Sequence, residues 1–164
     1  MKRALQKFVV GAALRVVHAA LVELRGMDAY VAEEFSRLPI GMSYAIHTGY
    51  KCPSLYVEWD GAKLHRRPTL DAPRCELHLK ALPISFRMFT GQMGLAQGYA
   101  QHAFTMVGEV ADVMRLARLV NHAEAHLFPP FITRKFLSEV PKLGTAPWRM
   151  YAKLALGFLI GKYS

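Results

Sequence analysis

The stretch LYVEWDGAK, residues 55–63, contains an alternating strand pattern followed by a tight turn. Every second residue from Leu55 to Trp59 is apolar, which predicts a strand that buries one of its two faces. Asp60-Gly61 predicts a hairpin turn, because the central residues of such turns adopt positive φ. We therefore expect an antiparallel partner strand that starts near Lys63.

Other segments show the same alternation. Residues 42–46 (MSYAI) and 75–79 (CELHL) carry apolar side chains at alternate positions, and residues 104–107 (FTMV) show a weaker version of the pattern. Alternation with one apolar face is typical of an antiparallel sheet that is covered on one side. The pattern predicts that residues 42–80 form a meander whose apolar face needs a cover.

Helical periodicity surrounds these strands. Apolar residues at steps of three and four predict a helix over 2–24, and Asp28 is a suitable N-cap for a second helix that ends near Arg37. Beyond the strands, glycine and proline delimit further helices. These helices are predicted over 84–90, 95–102, 110–127, 131–140 and 148–160.

The composition is that of a globular protein with an excess of positive charge. Hydrophobic residues make up 52% of the chain, and 21 lysines and arginines against 12 acidic residues give a net charge of +9. Such a charge favours an anionic partner. The basic clusters are not interleaved with exposed aromatic residues, so we expect no nucleic-acid partner.

The termini and cysteines indicate a cytoplasmic protein. Arg15 and His18 interrupt the apolar run near the N-terminus, which favours an amphipathic helix over a signal sequence or a membrane anchor. Cys52 and Cys75 have no CxxC spacing and are expected to be free thiols in a reducing compartment.

Sequence motifs for catalysis are weak. His122 and His126 lie one helical turn apart, a spacing that can bind zinc, but the HAEAH pattern is not the HExxH of zinc proteases. The glycines at 91, 94 and 98 do not have the spacing of a phosphate-binding loop. The sequence therefore predicts no catalytic residue, no metal site and no cofactor. A metal-dependent enzyme that uses His122 and His126 is an alternative.

Large apolar side chains are concentrated between residues 86 and 114. An ordinary core explains them, since methionine and phenylalanine fill cores well. Short, glycine-interrupted helices and flexible methionines also suit a pocket that adapts to a flexible apolar ligand. Both interpretations stay open on composition alone.

The order of these segments is similar to a known family. WDG at 59–61, RCELHL at 74–79, MFTGQ at 88–92 and FTMVGE at 104–109, followed by a helix, resemble the sterol carrier protein 2 family over residues 40–120. The resemblance implies an α+β fold with a five-stranded, mainly antiparallel sheet that helices cover on one face. The number of predicted strands agrees when residues 63–67 form the third. The family encloses an apolar tunnel for lipids and has no chemistry of its own.

The resemblance also implies which residues contact a lipid. The apolar faces of the strands would form one wall of the tunnel, and the segment from 84 to 107 would form the other. With Met114 of the following helix added, the expected lipid-contact residues are Tyr44, Ile46, Leu55, Val57, Phe86, Phe89, Met93, Leu95, Tyr99, Phe104, Met106 and Met114.

Helical extensions flank the family-like core. We expect one domain over 1–164, with an N-terminal extension over 1–38, a core over 40–127 and a C-terminal extension over 128–164. The last helix mixes aromatic and basic side chains in a way that suits a membrane interface. The expected membrane-contact residues are Trp148, Arg149, Tyr151 and Lys153. Packing of this helix on the domain, or a homodimer interface, is the alternative.

These observations predict a non-enzymatic, cytoplasmic protein that docks on anionic membranes and carries a hydrophobic ligand. Sterols, fatty acids, acyl-CoA and isoprenoid lipids are the expected ligand types. The alternative from another class is an accessory scaffold domain for a lipid- or quinone-handling enzyme complex.

Overall fold

The structure is a computed structural model that describes residues 2–128 and 147–163, so the helix predicted over 131–140 lies outside the described residues. The first half of the chain contains two helices and four strands: α1 (Lys2–Arg25), α2 (Ala29–Ser36), β1 (Ser43–His47), β2 (Ser54–Trp59), β3 (Leu64–Arg67) and β4 (Cys75–Leu79). The described remainder contains α3 (Leu82–Phe89), α4 (Leu95–Ala100), β5 (Phe104–Val107), α5 (Val110–Leu127) and α6 (Pro147–Leu159).

The strands form one sheet in the order β3-β2-β1-β4-β5. β1 and β4 pair in parallel, and the other neighbouring pairs are antiparallel. This arrangement confirms the α+β class and the five-stranded, mainly antiparallel sheet.

The predicted meander through residue 80 is wrong beyond β3. β4 does not pair with β3; the chain crosses the sheet and β4 pairs with the free edge of β1. Alternation identifies the buried face of a strand but not its neighbour. The parallel register places Tyr44 beside Cys75 and Ile46 beside Leu77, so that the apolar face continues from β1 into β4.

The hairpin between β2 and β3 is confirmed. Its two strands are antiparallel, with Trp59 opposite Leu64. One carboxylate oxygen of Asp60 accepts hydrogen bonds from the backbone N–H groups of Ala62 and Lys63, at 2.7 and 2.6 Å. Gly61 has φ of +95°, which is the reason that a glycine suits this position.

Helices cover one face of the sheet. α1 contacts β2, while α3 and α5 contact β4. Apolar side chains of the strands point toward these helices and are buried, whereas the intervening residues of β2 and β4 are half-exposed. Buried residues of α1 and α6 belong to the same hydrophobic cluster as the strands.

The first helix lies within this packed core. By length and hydropathy α1 would also be able to cross a membrane, a test that core helices of globular proteins pass as well. In the structure α1 packs against α2, α3, α5 and α6. Its buried side chains recur at helical spacing, from Val10 through Leu14, Val17 and Leu21 to Leu24.

Candidate functional site

An apolar cavity of about 350 Å³ lies between α1, α5 and α6, and we refer to it as the inner cavity. Each of these helices contributes residues at spacings that place them on one face. The last residue of α3 and Phe128, which follows α5, complete the lining. The lining residues are Ala13, Val16, Val17, Phe89, Glu124, Leu127, Phe128, Tyr151, Leu154 and Phe158.

Glu124 contributes the carboxyl group of this lining. Its side chain is 8% exposed, and burial raises its pKa to about 8. Among the residues that the structure describes, no hydrogen bond and no ion pair reaches this carboxyl group. Burial therefore favours the uncharged acid at neutral pH, and no described residue uses its hydrogen-bonding capacity.

Tyr151 contributes the second polar group of the lining, and that group is already engaged. Its hydroxyl donates a hydrogen bond of 2.7 Å to the backbone carbonyl of Leu127 at the end of α5. Burial raises the pKa of Tyr151, so the hydroxyl stays protonated. The hydrogen bond ties α6 to α5 and holds the two walls of the inner cavity together.

A wider groove of about 520 Å³ adjoins the inner cavity, and we refer to it as the outer groove. It lies between α1 and β2, and it shares Val16 and Phe158 with the inner cavity. Its lining also includes the cations Lys7, Arg15 and Arg66. The outer groove therefore combines an apolar floor with positive charge, which favours anionic groups.

The predicted lipid-contact residues are spread over the fold, and lipid contact by them stays a prediction. Phe89 lines the inner cavity and Leu55 lines the outer groove, and the other predicted residues line neither of them. In the core, Tyr44, Ile46, Leu55, Val57, Met93 and Phe104 are buried, and Phe86, Phe89, Leu95 and Met106 are half-buried. On the surface, Tyr99 is 71% exposed and Met114 is 50% exposed.

The location of the cavity follows from the helix packing. Because α1, α3 and α5 lie directly against the sheet, their side chains occupy the space beside the strands. The inner cavity is therefore lined by residues of the helices and not by residues of the strands. Sequence reasoning missed the contributions of α1 and Glu124. The sequence does contain a signal for the position of Glu124. Its spacing from Val120 and Leu127 places it on the same face of the helix as these apolar residues.

The four predicted membrane-contact residues are all exposed on α6, and two of them also make polar contacts with other helices. Trp148 is 69% exposed, and Arg149 is exposed as well. Tyr151 contacts the end of α5, and the Lys153 ammonium lies 3.9 Å from the carboxylate of Glu23 on α1. Membrane contact by these residues stays a prediction.

The histidine pair belongs to a buried cluster that the sequence did not indicate. Asp28 Oδ2 lies 3.0 Å from His122 Nε2 and 3.6 Å from His126 Nε2, so these three side chains have donor atoms suited to a metal ion. Asp28 Oδ1 also caps α2, accepting from the N–H groups of Tyr30 and Val31.

Hydrogen bonds account for much of this cluster, although Nε2 of His126 is buried without a hydrogen-bond partner among the described residues. Burial opposes the negative charge of Asp28, but hydrogen bonds from His122 and the Val31 N–H outweigh it and lower the Asp28 pKa. His126 Nδ1 lies 3.0 Å from the His122 carbonyl and donates to it, and burial lowers the His126 pKa. The cluster joins the start of α2 to the end of α5, which is a structural role.

A second group of this kind lies on the half-exposed face of the sheet. The stacked rings of His47 and His78 place their Nε2 atoms 3.2 and 2.8 Å from one oxygen of Glu76. The donor types suit a metal ion, and two N–H···O hydrogen bonds to the carboxylate also account for the geometry.

Comparison with known proteins gives two weak structural similarities and no assigned activity. No protein-family model and no curated protein matches the chain. A solved structure titled UbiJ-SCP2 ubiquinone synthesis protein is similar with a TM-score of 0.46 and 14% identity, over 62% of this chain and 90% of that chain. The structure of sterol carrier protein 2 like 2 from Aedes aegypti is similar with a TM-score of 0.37 and 12% identity, over 58% of this chain and 97% of that chain.

Similarities this weak transfer neither ligand nor activity from those proteins. The strand order and the helices on one face, described above, establish the α+β architecture from the chain itself. In fold, the protein is similar to these sterol-carrier-like structures.

Proposed function

We propose that the protein binds a lipid-like apolar ligand in the inner cavity and does not change it chemically. The observation that carries this proposal is the cavity itself, about 350 Å³ with walls that are carbon apart from Glu124, Tyr151 and backbone atoms. Ligand pockets typically have volumes of roughly 300–1,000 Å³ and mostly apolar linings. Burial of ligand surface would supply the affinity, at about 25 cal/mol per Å².

The lining supports binding more than catalysis. Among the described residues, no serine, cysteine or histidine lines the inner cavity. The described lining therefore lacks a serine or cysteine nucleophile and a histidine base to activate it. Tyr151 already donates to a backbone carbonyl. What the described lining offers a ligand is apolar surface and one uncharged acid.

Filling the inner cavity tests this function. Ala13 lies on α1 at the cavity wall, and Ala13→Trp would place an indole in the space that a ligand needs. We expect the wild-type protein to enhance the fluorescence of the uncharged dye N-phenyl-1-naphthylamine. Ala13→Trp should weaken this binding at least tenfold. Val16→Phe is a smaller filling change that should weaken it in the same direction.

The control is a matched substitution on the surface. Ala96 is exposed on α4, so Ala96→Trp should bind the dye as the wild type does. Thermal unfolding of each variant checks that its fold is intact. Wild-type protein that binds no dye, or equal binding by wild type and a folded Ala13→Trp, would exclude the inner cavity as a ligand site.

A further inference from the structure

The position of Glu124 is unusual for a glutamate. It is on the face of α5 that meets α1 and α6, with Val16, Leu127 and Leu154 among its neighbours in the cavity lining. At 8% exposure the side chain is almost fully withdrawn from water. Glutamates are rarely buried to this extent unless they are paired.

Nothing in the described chain pairs with this acid. On α1 the cavity lining is alanine and valine, on α3 it is phenylalanine, and on α6 the titratable group is the Tyr151 hydroxyl, which donates elsewhere. Among the described lining residues there is no cation. By contrast, the buried acids Glu23, Glu34 and Asp28 each have hydrogen-bonding or charged partners.

Chemistry then limits what the acid can bind. An ionised carboxylate in a carbon-lined cavity is strongly unfavourable, so the acid is uncharged there. Burial alone raises its pKa to about 8, which agrees with this state. An uncharged carboxyl has one O–H donor and acceptor oxygens, and it complements a hydroxyl, a carbonyl or another uncharged acid.

We infer that Glu124 hydrogen-bonds an uncharged oxygen of the ligand, and that the protein selects apolar molecules with a hydroxyl or carbonyl group. This inference rests on the proposed binding function of the inner cavity. A phosphate or sulfate group would lack a cation in the described part of the inner cavity. The cations Lys7, Arg15 and Arg66 lie instead along the outer groove.

Ligands that differ in one oxygen test the inference. Displacement of N-phenyl-1-naphthylamine from the full-length protein would be measured with 1-dodecanol, dodecane and dodecyl phosphate. We expect the wild type to bind 1-dodecanol at least tenfold more tightly than dodecane, and more tightly than dodecyl phosphate. Glu124→Leu should remove the preference for 1-dodecanol over dodecane, while dodecane still binds.

Two further variants separate a lost hydrogen bond from a damaged fold. Glu124→Gln keeps a donor and an acceptor at this position and should retain most of the preference. Glu33, which is exposed and paired with Arg37, provides a matched surface control, and Glu33→Gln should bind as the wild type does.

The outcomes distinguish this inference from the function on which it rests. If neither the dye nor any of the three ligands binds the wild type, the proposed function itself fails. If dodecane and 1-dodecanol bind equally well to the wild type, or if Glu124→Leu keeps the full preference, the cavity binds ligands but the role of Glu124 is wrong. Tightest binding of dodecyl phosphate would also contradict the inference.

Discussion

At the scale of single residues, three neighbouring polar side chains of α5 differ in whether they form hydrogen bonds within the described chain. His122 and His126 lie on either side of Glu124 in sequence, yet both histidines face Asp28 and form hydrogen bonds. Glu124 faces the inner cavity and has no such partner in the described chain. A buried, unpaired acid costs stability, and the proposed hydrogen bond to a ligand would offset part of this cost.

Glu124→Leu is expected to stabilise the protein at alkaline pH. The folded pKa of about 8 is above the ordinary 4.5, so the folded state holds a proton that the unfolded state releases between these values. The wild type therefore loses stability as pH rises from 4.5 to 8, by up to about 1.4 kcal/mol per pH unit. Leucine removes this loss. The free energy of unfolding in urea should be compared for Glu124→Leu and wild type at both pH values. The stability advantage of Glu124→Leu should be larger at pH 8 than at pH 5, by ~2–4 kcal/mol.

Glu33→Leu is the comparison for this prediction, because Glu33 is exposed. It should change stability little, and by the same amount at both pH values. A Glu124→Leu protein that is no more stable than wild type at pH 8 would show that the acid is ionised or paired.

At the scale of elements, α5 and α6 are held by polar contacts at a few points. The Asp28 cluster joins α2 to α5, and the Tyr151 hydroxyl joins α6 to the end of α5. Glu23 on α1 accepts from the Tyr163 hydroxyl and pairs with Lys162 beyond α6. The Tyr151 and Glu23 contacts join helices that form walls of the inner cavity.

Asp28→Ala is expected to destabilise the protein by about 2–4 kcal/mol in urea unfolding. Loss of the N-cap costs roughly 1 kcal/mol, and leaving His122 without its buried acceptor costs about 1–3 kcal/mol. Glu33→Ala, in the same helix α2, should stay within about 0.5 kcal/mol of wild type because its ion pair is exposed.

The structural role of this cluster has its own check. Added zinc and added chelator should both leave the unfolding temperature unchanged. A zinc-dependent increase that His126→Ala abolishes would show that the three side chains hold a metal.

At the scale of the whole molecule, charge and exposed apolar surface occur together. The chain has a net charge of +9, and the outer groove presents cations beside its apolar floor. On α6, Trp148 and Leu159 are 69% and 84% exposed. Aromatic and basic residues of this kind suit an interface with anionic lipids, and we propose docking through this side of the molecule.

Docking predicts a particular dependence on lipid and salt. The protein should sediment with vesicles that contain phosphatidylglycerol and not with pure phosphatidylcholine vesicles, and salt at about 0.5 M should release it because the charges are exposed. Trp148→Ala should weaken sedimentation several-fold. Tyr99→Ala, which removes an exposed aromatic from α4, is the control and should have no effect. Equal binding to both vesicle types would contradict electrostatic docking.

The elements were largely predictable from the sequence, whereas the inner cavity was not. The predicted bounds of α5 and β5 agree with the structure, and the turn at Asp60-Gly61 and the cap at Asp28 are as predicted. Each of these depends on residues within a few positions of one another. Whether the strand residues can contact a lipid depends on which helices cover the sheet. One of these helices is α1, at the start of the chain, which contacts β2.

The sequence by itself determined which face of each strand is apolar, where the hairpin turns and where most helices begin and end, because these are local properties of the backbone and its nearest side chains. Tertiary structure alone decided that β4 pairs with β1 and that a cavity lies between α1, α5 and α6. It also decided that Glu124 is uncharged, since a pKa depends on the surrounding residues in space. Among the described residues, those that line its cavity and lie far from Glu124 along the chain are Ala13, Val16, Val17, Phe89, Tyr151, Leu154 and Phe158.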